Sequence, residues 1–305
     1  MRKTLSVIAS LTLVALLAAC GTDESSGGAA ADPAACPDGK IRFAVEPYES
    51  AADLVPAFEP IAKQLETRIG CKVELSVTTN YTSEVEAMRS GKVEVAQFGP
   101  QAYVFAKQLA KAEVFGTYAN AEGKPAVYYA SVVTNKKSGL AGDLNACKGK
   151  QMAYSEASST SGYLFPAYAF TSAGIDPKNG VKAVFTGGHP QAYEAVKANK
   201  VECAELNSEH MEIARKAGEY NEADYVTLWK SPDIYTDAIA VRGDLTPELK
   251  KKISDAFLGL DFSTLDSKAR ELLLGASIVP ATDANYQVVA DLIKTMGIDV
   301  ASLDS

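Results

Sequence analysis

Short apolar segments typical of strands alternate with amphipathic segments typical of helices along most of this chain. Ile41–Val45 predicts a buried strand. The apolar residues of 52–69 then recur every three or four positions, as on one face of a helix, and Gly70 is expected to end that helix. A second series of the same kind runs from Gln151 to Lys230. This alternation predicts an α/β fold in which sheets are flanked by helices.

Two such series predict two lobes with a ligand cleft between them. Val127–Asn135 reads as a long strand that crosses between the lobes, and Ala238–Arg242 as the strand that returns. We therefore expect lobe 1 to comprise residues 37–130 and 238–305, and lobe 2 to comprise residues 131–237. Ligands of open α/β sheets bind beyond the carboxyl ends of the strands, so candidate functional residues should lie there. Three helical segments are expected to close the chain on lobe 1, starting at Pro247, Ser263 and Asp283.

The first twenty residues have the order of an export signal. Arg2 and Lys3 come first, an apolar run follows at 5–17, and small residues then lead to Cys20. A membrane-spanning helix needs roughly 20 apolar residues, so a single membrane anchor is the weaker interpretation.

The end of this signal, Leu17-Ala18-Ala19-Cys20, resembles a bacterial lipobox. The resemblance implies removal of residues 1–19 and lipidation of Cys20. Residues 20–36 are rich in Gly, Ser and Ala and are expected to form a flexible tether. The protein would then lie outside the cytoplasm, in the periplasm or at the cell surface, and contact the membrane only through its lipid.

Composition narrows the partners further. The formal net charge is −8, and an acidic chain of this kind is not expected to bind nucleic acid or anionic lipid. Besides Cys20 there are four cysteines, an even number that suggests two disulfides. They allow three connectivities, of which Cys36–Cys71 with Cys147–Cys203 keeps each bridge inside one lobe. A zinc site is the weaker alternative, because no cysteines are close in sequence and the chain has only two histidines. We expect no metal and no cofactor.

The segment Ser158-Ser159-Thr160-Ser161-Gly162-Tyr163 follows a predicted strand and opens a predicted helix. A helix cap needs only one hydroxyl, and four hydroxyl residues stand here in a row. Free N–H groups at a helix start bind anions with the help of the helix dipole, and further hydroxyls would add donors. The sequence therefore predicts either an ordinary capped helix or a site for a tetrahedral oxyanion.

Four segments taken together carry a family resemblance. They are Phe98-Gly99-Pro100, Ser159-Thr160-Ser161-Gly162-Tyr163, Thr186-Gly187-Gly188-His189, and Ser231-Pro232 followed by Asp237. In order and spacing they resemble the phosphonate-, phosphite- and phosphate-binding lipoproteins of bacterial ABC importers, over residues 41 to about 260. The resemblance implies a two-lobed type II periplasmic binding protein that closes on its ligand.

The resemblance also implies roles for single residues. Ser159, Thr160 and Ser161 match the element that holds the phosphonate oxygens, and His189 matches a histidine that donates to the same group. Tyr81 matches a tyrosine of the opposite lobe that closes over the ligand.

Two carboxylates, and one residue that differs from the family pattern, bear on the identity of the ligand. Glu209 and Asp237 match carboxylates that face the ammonium group in aminophosphonate binders. Phe98 stands where some members have a second tyrosine, which removes one hydroxyl donor. Tyr48 and Tyr235 lie near predicted strand ends and are further aromatic candidates for the cleft.

These observations predict a binding protein without catalytic residues. It would capture a small phosphorus oxyanion, such as the phosphonate 2-aminoethylphosphonate, and deliver it as a monomer to an ABC permease and its ATPase. Phosphate or phosphite is the alternative ligand, and a sensory role is an alternative to transport. A secreted phosphoester hydrolase using a serine, His189 and a carboxylate is the alternative from another class, although the chain has no Gly-x-Ser-x-Gly elbow.

Overall fold

The structure is a computed structural model that describes residues 34–273 and 275–300. The predicted signal peptide, Cys20 and nearly all of the predicted tether lie outside the described residues. The described residues belong to one compact unit. None of the helices found in them has both the length and the apolar character needed to cross a membrane.

Six strands form one mixed sheet, in the order β13-β4-β12-β3-β1-β2. β1 pairs in parallel with β2 and β3, whereas β12 and β13 run antiparallel to their neighbours. These strands are β1 Lys40–Val45, β2 Lys72–Val77, β3 Val95–Phe98, β4 Glu113–Ala119, β12 Ala238–Val241 and β13 Ser277–Pro280.

Five further strands form a second sheet, in the order β10-β6-β9-β7-β8. β7 pairs in parallel with β8 and β9, and β6 runs antiparallel to β9 and β10. These strands are β6 Ala130–Asn135, β7 Gln151–Tyr154, β8 Lys182–Phe185, β9 Cys203–Asn207 and β10 Tyr225–Lys230. A two-stranded ribbon is formed by β5 Val127–Tyr128 and β11 Ile234–Tyr235.

Helices connect most of the strands, as the alternating pattern predicts. They are α1 Ala51–Ile69, α2 Tyr81–Arg89, α3 Pro100–Ala110, α4 Phe165–Ser172, α5 His189–Lys197, α6 Ser208–Lys216, α7 Pro247–Leu258, α8 Ser267–Leu272 and α9 Gln287–Thr295. In α1 the Ser50 hydroxyl accepts the Asp53 amide at 3.3 Å, and Gly70 ends the helix with a φ of 72°. The buried face of α1 carries the apolar residues whose spacing predicts it.

Strands β4 and β13 are absent from the sequence-based prediction, which expects only helices after Pro247. Gly116 interrupts the apolar pattern of β4, and β13 has four residues and ends at Pro280. Short strands with few apolar residues give a weak periodic signal, and here pairing with neighbouring strands forms them.

The prediction of one long strand at 127–135 is wrong in one respect. The strand is interrupted at Tyr129, so that β5 joins the ribbon and β6 joins the second sheet. The Tyr129 amide donates to the Ser208 hydroxyl at 3.0 Å instead of continuing the ladder. The strand therefore changes partner where the chain passes from the first sheet to the second.

The structure contains two disulfides with the pairing that keeps each bridge within one predicted lobe. Cys36–Cys71 links the segment before β1 to the segment before β2, and Cys147–Cys203 links the segment before β7 to β9. The predicted lobe boundaries themselves stay a prediction.

Candidate ligand-binding site

A buried cavity lies at the carboxyl ends of strands from both sheets. Glu46 follows β1, Gly99 follows β3, and Asn207 is the last residue of β9. The cavity is small, and most of the residues that enclose it are buried. Its lining residues are Glu46, Tyr48, Glu49, Tyr81, Gly99, Tyr128, Ser159, Thr160, Ser161, His189, Asn207, Glu209, His210, Ile213 and Asp237.

One side of the cavity is the turn that precedes α4. Ser159, Thr160 and Ser161 are almost fully buried and line the cavity. The Ser159 hydroxyl accepts the Gly162 amide at 3.1 Å, so this residue caps the turn. The turn Thr160–Leu164 has the wider π-helical geometry, where a regular α-helix is expected from the sequence. Hydroxyls and backbone N–H groups at such a helix start suit an anion.

Gly162 allows this turn to approach β7. A Cβ atom at this position would lie 1.6 Å from the Ser155 Oγ, which is closer than any real contact. The Gly162 carbonyl accepts the Ser155 amide at 3.3 Å. The glycine in the motif is therefore needed for the close packing that places the three hydroxyl residues.

His189 lies beside the same turn, at the start of α5. Its Nε2 is 3.4 Å from the Ser159 Oγ, and its Nδ1 is 2.7 Å from the Glu205 Oε1. Burial lowers the pKa of His189, but the adjacent Glu205 carboxylate outweighs this effect, so the net shift is upward. A raised pKa favours the imidazolium, whose Nε2–H can donate to an anion held by the turn.

Carboxyl groups form the other side of the cavity. Asp237 precedes β12, and its Oδ2 accepts from the Gln97 Nε2 at 3.0 Å. Burial raises the pKa of Asp237 to about 6, although the Gln97 bond opposes this shift. Burial and then the charge of Asp237 raise the pKa of Glu209. Burial therefore disfavours the ionised form of both carboxyls.

Tyr81 joins the two halves of the site. It is the first residue of α2, and its backbone amide donates to the Glu156 Oε2 at 3.0 Å. Glu156 lies in the loop after β7, so this bond joins a helix beside the first sheet to a loop of the second. Tyr48 also lines the cavity, but its hydroxyl donates to the Leu272 carbonyl at 2.9 Å. Tyr48 therefore contributes its ring more than its hydroxyl.

Two predicted binding residues do not line the cavity. Phe98, the last residue of β3, is completely buried in the core formed by α2, α3 and β12. Tyr235 lies on the ribbon strand β11, where Ile234 points inward and Tyr235 is 37% exposed. The alternation of side chains along a strand explains both positions.

Sequence reasoning misses several lining residues. Glu46 and Glu49 directly follow β1, so the strand-end rule indicates where to find them. Tyr128 and His210 carry no such signal. The His210 Nδ1 lies 2.5 Å from the Glu49 Oε1. Tyr128 is a tyrosine of the cavity lining.

The charges of the lining are unusual for an anion site. It contains four carboxyl residues and two histidines, whereas none of the described residues in the lining is a lysine or an arginine. In the same part of the chain, no group of three or more His, Cys, Asp or Glu residues could hold a metal ion. The site therefore combines uncharged hydroxyl and backbone donors and two histidines with four carboxyl groups.

Known proteins of two kinds are similar to this chain. It is 28% identical over 222 residues to the phosphonates-binding periplasmic protein of Escherichia coli, covering 72% of this chain and 65% of that protein, just under two thirds. It is 26% identical over 276 residues to the phosphate-import protein PhnD of Mycolicibacterium smegmatis, covering 84% of this chain and 86% of that protein.

Solved structures share the fold. A binding protein component of an ABC phosphonate transporter from Pseudomonas aeruginosa matches with a TM-score of 0.73 and 26% identity, over 83% of this chain and 85% of that chain. PhnD1 from Prochlorococcus marinus, solved with methylphosphonate, matches with a TM-score of 0.74 and 20% identity, over 87% and 99% of the two chains. The fold is therefore the expected two-lobed type II periplasmic binding protein.

The family model described as the periplasmic substrate-binding protein of phosphonate ABC transporters matches residues 43–286, which include every lining residue of the cavity. Together with the fold and the cavity, this match shows that the chain belongs to the family of periplasmic phosphonate-binding proteins of ABC transporters.

Proposed function

We propose that this protein captures an aminophosphonate, such as 2-aminoethylphosphonate, for an ABC importer. One observation carries the proposal. The hydroxyl turn Ser159–Ser161 and the carboxyls of Glu209 and Asp237 line the same small cavity. A ligand with an anion at one end and a cation at the other satisfies both groups.

Charge balance supports an amine on the ligand. A phosphoryl group carries about −1.5 to −2 charges near neutral pH, and a buried carboxylate near it would be strongly unfavourable without a cation. An ammonium group next to Asp237 supplies that cation and returns the carboxyl to its ionised form. His189, with its raised pKa, supplies positive charge at the phosphonate end.

Phosphate or phosphite is the second candidate ligand. The M. smegmatis relative is named for phosphate import, and Asp237 has a pKa raised to about 6, so its carboxyl can share a proton with a phosphate oxygen. This alternative places no cation beside Glu209 and Asp237, so it offers no counter-charge for two buried carboxyls.

We infer the remaining role from the family. The ligand is delivered to an ABC permease and its ATPase outside the cytoplasm, and the protein works as a monomer. Lipidation at Cys20 and a tether at 20–36 would keep the cavity near the permease. Intact-mass measurement of membrane-derived protein tests this part, since a diacylated Cys20 at the N-terminus is expected.

The hydrolase alternative has a geometric basis but little support. Ser159, His189 and Glu205 are arranged in the order of a serine–histidine–carboxylate triad. However, the Ser159 hydroxyl already accepts the Gly162 amide as a helix cap, and family members are described as substrate-binding proteins. Turnover of a chromogenic phosphoester, lost in Ser159→Ala, would revive this alternative.

Calorimetric titration tests the ligand assignment. The panel is 2-aminoethylphosphonate, methylphosphonate, phosphite and phosphate, with the original protein and with Asp237→Asn. We expect the amine to bind tightest and its advantage over methylphosphonate to fall about tenfold or more in the variant, because a charge-assisted bond is lost. Tightest binding of phosphate or phosphite would reject the aminophosphonate and assign Asp237 as a proton acceptor.

A further inference from the structure

Glu46 is a buried carboxyl residue of the cavity that the proposed function does not use. It follows β1, and its Oε2 accepts the Gly99 amide at 2.5 Å. Its own amide donates to the Gln97 carbonyl at 3.4 Å, which extends the β1–β3 pairing by one residue. Only 2% of Glu46 is exposed, so the side chain is held in one place.

Glu46 lies on the same side of the cavity as Asp237. β12 pairs with β3 so that Ala238 lies opposite Phe98, which places Asp237 next to Gly99 at the end of the sheet. Burial, followed by the charge of Asp237, raises the pKa of Glu46. Glu209 lies on α6, which follows β9 of the second sheet, and the charge of Asp237 contributes to the raised pKa of Glu209. Asp237 therefore stands electrostatically between two further carboxyls.

Each of these three carboxyls keeps an oxygen to which none of the described residues donates a hydrogen bond. Glu46 uses Oε2 for Gly99, and Asp237 uses Oδ2 for Gln97. Within the described residues, the Glu209 Oε1 is buried and has no hydrogen-bond partner. A primary ammonium has three N–H donors, and three acceptor oxygens match that number.

We propose that Glu46 is a third ligand-binding carboxyl beside Glu209 and Asp237, and that together they restrict the cationic group of the ligand to an unsubstituted primary ammonium. The proposal rests on the proposed function, because it concerns the amine end of an aminophosphonate. It adds a specificity-determining residue and excludes N-methylated ligands.

A methylated ammonium is the competing possibility, since three tyrosines also line the cavity. Tyr48, Tyr81 and Tyr128 could surround a quaternary ammonium through their ring faces. A quaternary ammonium has no N–H group, so the buried Glu209 Oε1 would stay without a donor in the complex, at a cost in affinity. The free carboxyl oxygens therefore favour N–H donors over an aromatic cage.

Glu84 provides a matched control for Glu46. It lies on α2, is completely buried, and both of its carboxyl oxygens lack partners within the described residues. It does not line the cavity. Burial and then the charge of Asp237 raise its pKa, as they raise the pKa of Glu46, so the two residues share an electrostatic setting and differ in whether they line the cavity.

The experiment is calorimetric titration of the purified protein, Glu46→Gln and Glu84→Gln. The ligands are 2-aminoethylphosphonate, its N,N,N-trimethyl derivative, and propylphosphonate, which has a similar length and no charge at that end. We expect the original protein to prefer the primary amine to the trimethyl compound by about tenfold or more. Glu46→Gln should reduce this ratio about tenfold and leave propylphosphonate binding as tight or tighter, whereas Glu84→Gln should preserve the ratio.

The outcomes separate the two proposals. If the original protein prefers the amine to propylphosphonate but Glu46→Gln keeps the primary-to-trimethyl ratio, Glu46 has no role in specificity and the proposed function stands. Equal binding of the primary and trimethyl amines would also overturn the inference. No preference for the amine over propylphosphonate would reject the proposed function together with this inference.

A second variant covers a failure of Glu46→Gln to fold. Gly99→Ala keeps the charge of Glu46 but would place a Cβ atom 2.7 Å from the Glu46 Oε1, and the flexible carboxyl must then move. Gly99 has a φ of −58°, which alanine adopts easily. The displaced carboxyl should lower the primary-to-trimethyl ratio as Glu46→Gln does, and an unchanged ratio would count against the inference.

Discussion

At the scale of single residues, Asp237 determines how the site responds to pH. It is buried, its pKa is raised to about 6, and its carboxyl accepts a hydrogen bond from the side-chain amide of Gln97. In the ligand-free protein its charge therefore changes within the range where many periplasmic and surface proteins work. A cationic ligand would remove this dependence by favouring the carboxylate.

The first prediction concerns stability against pH. The folded pKa of Asp237, about 6, is above the unfolded value of about 3.9, so its contribution is present below pH 4 and is lost as the pH rises through 6. Between pH 4.5 and pH 7.5 the free energy of unfolding of the ligand-free protein should fall by about 2 kcal/mol on account of Asp237. Urea unfolding at pH 4.5 and 7.5 measures the slope.

Asp237→Asn should make that slope shallower by the share of Asp237, because the variant has no proton to lose at this position, whereas the other buried carboxyls keep theirs. Asp255→Asn, on the exposed side of α7, serves as the control and should keep it. An equal slope in the original protein and Asp237→Asn would mean that Asp237 does not carry the effect.

The second prediction concerns the hydroxyl turn. Ser159→Ala removes both the helix cap and an anion donor, so stability should fall by about 1 kcal/mol and the affinity for every phosphorus oxyanion about tenfold. Ser172→Ala, at the exposed far end of α4, is the control and should change neither quantity. Unchanged affinity in Ser159→Ala would remove the turn from the site.

Sequence reasoning finds the residues that form motifs and misses those that the fold brings together. Ser159–Ser161, His189 and Asp237 lie in short segments whose order is recognisable, and all line the cavity. Glu46 has no motif around it. Its place beside Asp237 depends on the β12–β3 register, which single-sequence periodicity does not contain.

At the scale of elements, the π-helical turn before α4 is the part that the site depends on most. It packs on the end of β7 through Gly162, and the Gln101 amide of α3 donates to the Thr160 hydroxyl at 2.8 Å. In the closed arrangement the turn is therefore held by elements of both sheets, which fixes the positions of its donors.

The third prediction follows from that packing. Gly162→Ala should destabilise the protein by about 1–3 kcal/mol and weaken ligand binding, because the new methyl group overlaps the Ser155 Oγ. The Ser155 Oγ has no hydrogen-bond partner among the described residues, so adding Ser155→Ala should restore part of the stability. A double variant as unstable as Gly162→Ala alone would place the clash elsewhere.

Elements with strong periodicity are predictable here, and edge or interrupted strands are not. α1 has an amphipathic face, a serine cap and a glycine end, all readable in the sequence. β13 is a four-residue edge strand that exists because it pairs with β4. The break between β5 and β6 likewise depends on which sheet supplies each partner.

At the scale of the whole molecule, direct bonds join elements of the two sheets around the cavity. Besides the Gln101–Thr160 bond, the Tyr81 amide donates to Glu156, and the Thr82 and Ser158 hydroxyls lie 3.0 Å apart. These bonds must break if the lobes move apart to admit a ligand. They therefore favour the closed arrangement in addition to any contacts made with the ligand.

The fourth prediction tests whether these bonds stabilise the closed arrangement without affecting which ligand is preferred. Glu156→Ala removes the acceptor of the Tyr81 amide, so the affinities for all ligands should fall by the same factor, about tenfold, with faster dissociation. Glu202→Ala, which removes the acceptor of the Gln151 amide within the second sheet, should leave affinity unchanged. A change in the order of ligand preference in Glu156→Ala would show that Glu156 takes part in recognition. Stopped-flow fluorescence gives the dissociation rates.

The most direct test of the central claim is a crystal structure of the protein with 2-aminoethylphosphonate. The account predicts the phosphonate oxygens within hydrogen-bond distance of Ser159, Thr160, Ser161 and His189, and the amine nitrogen between Glu209 and Asp237. A phosphonate group at the carboxyl side, or a cavity that holds inorganic phosphate in the presence of excess 2-aminoethylphosphonate, would contradict it.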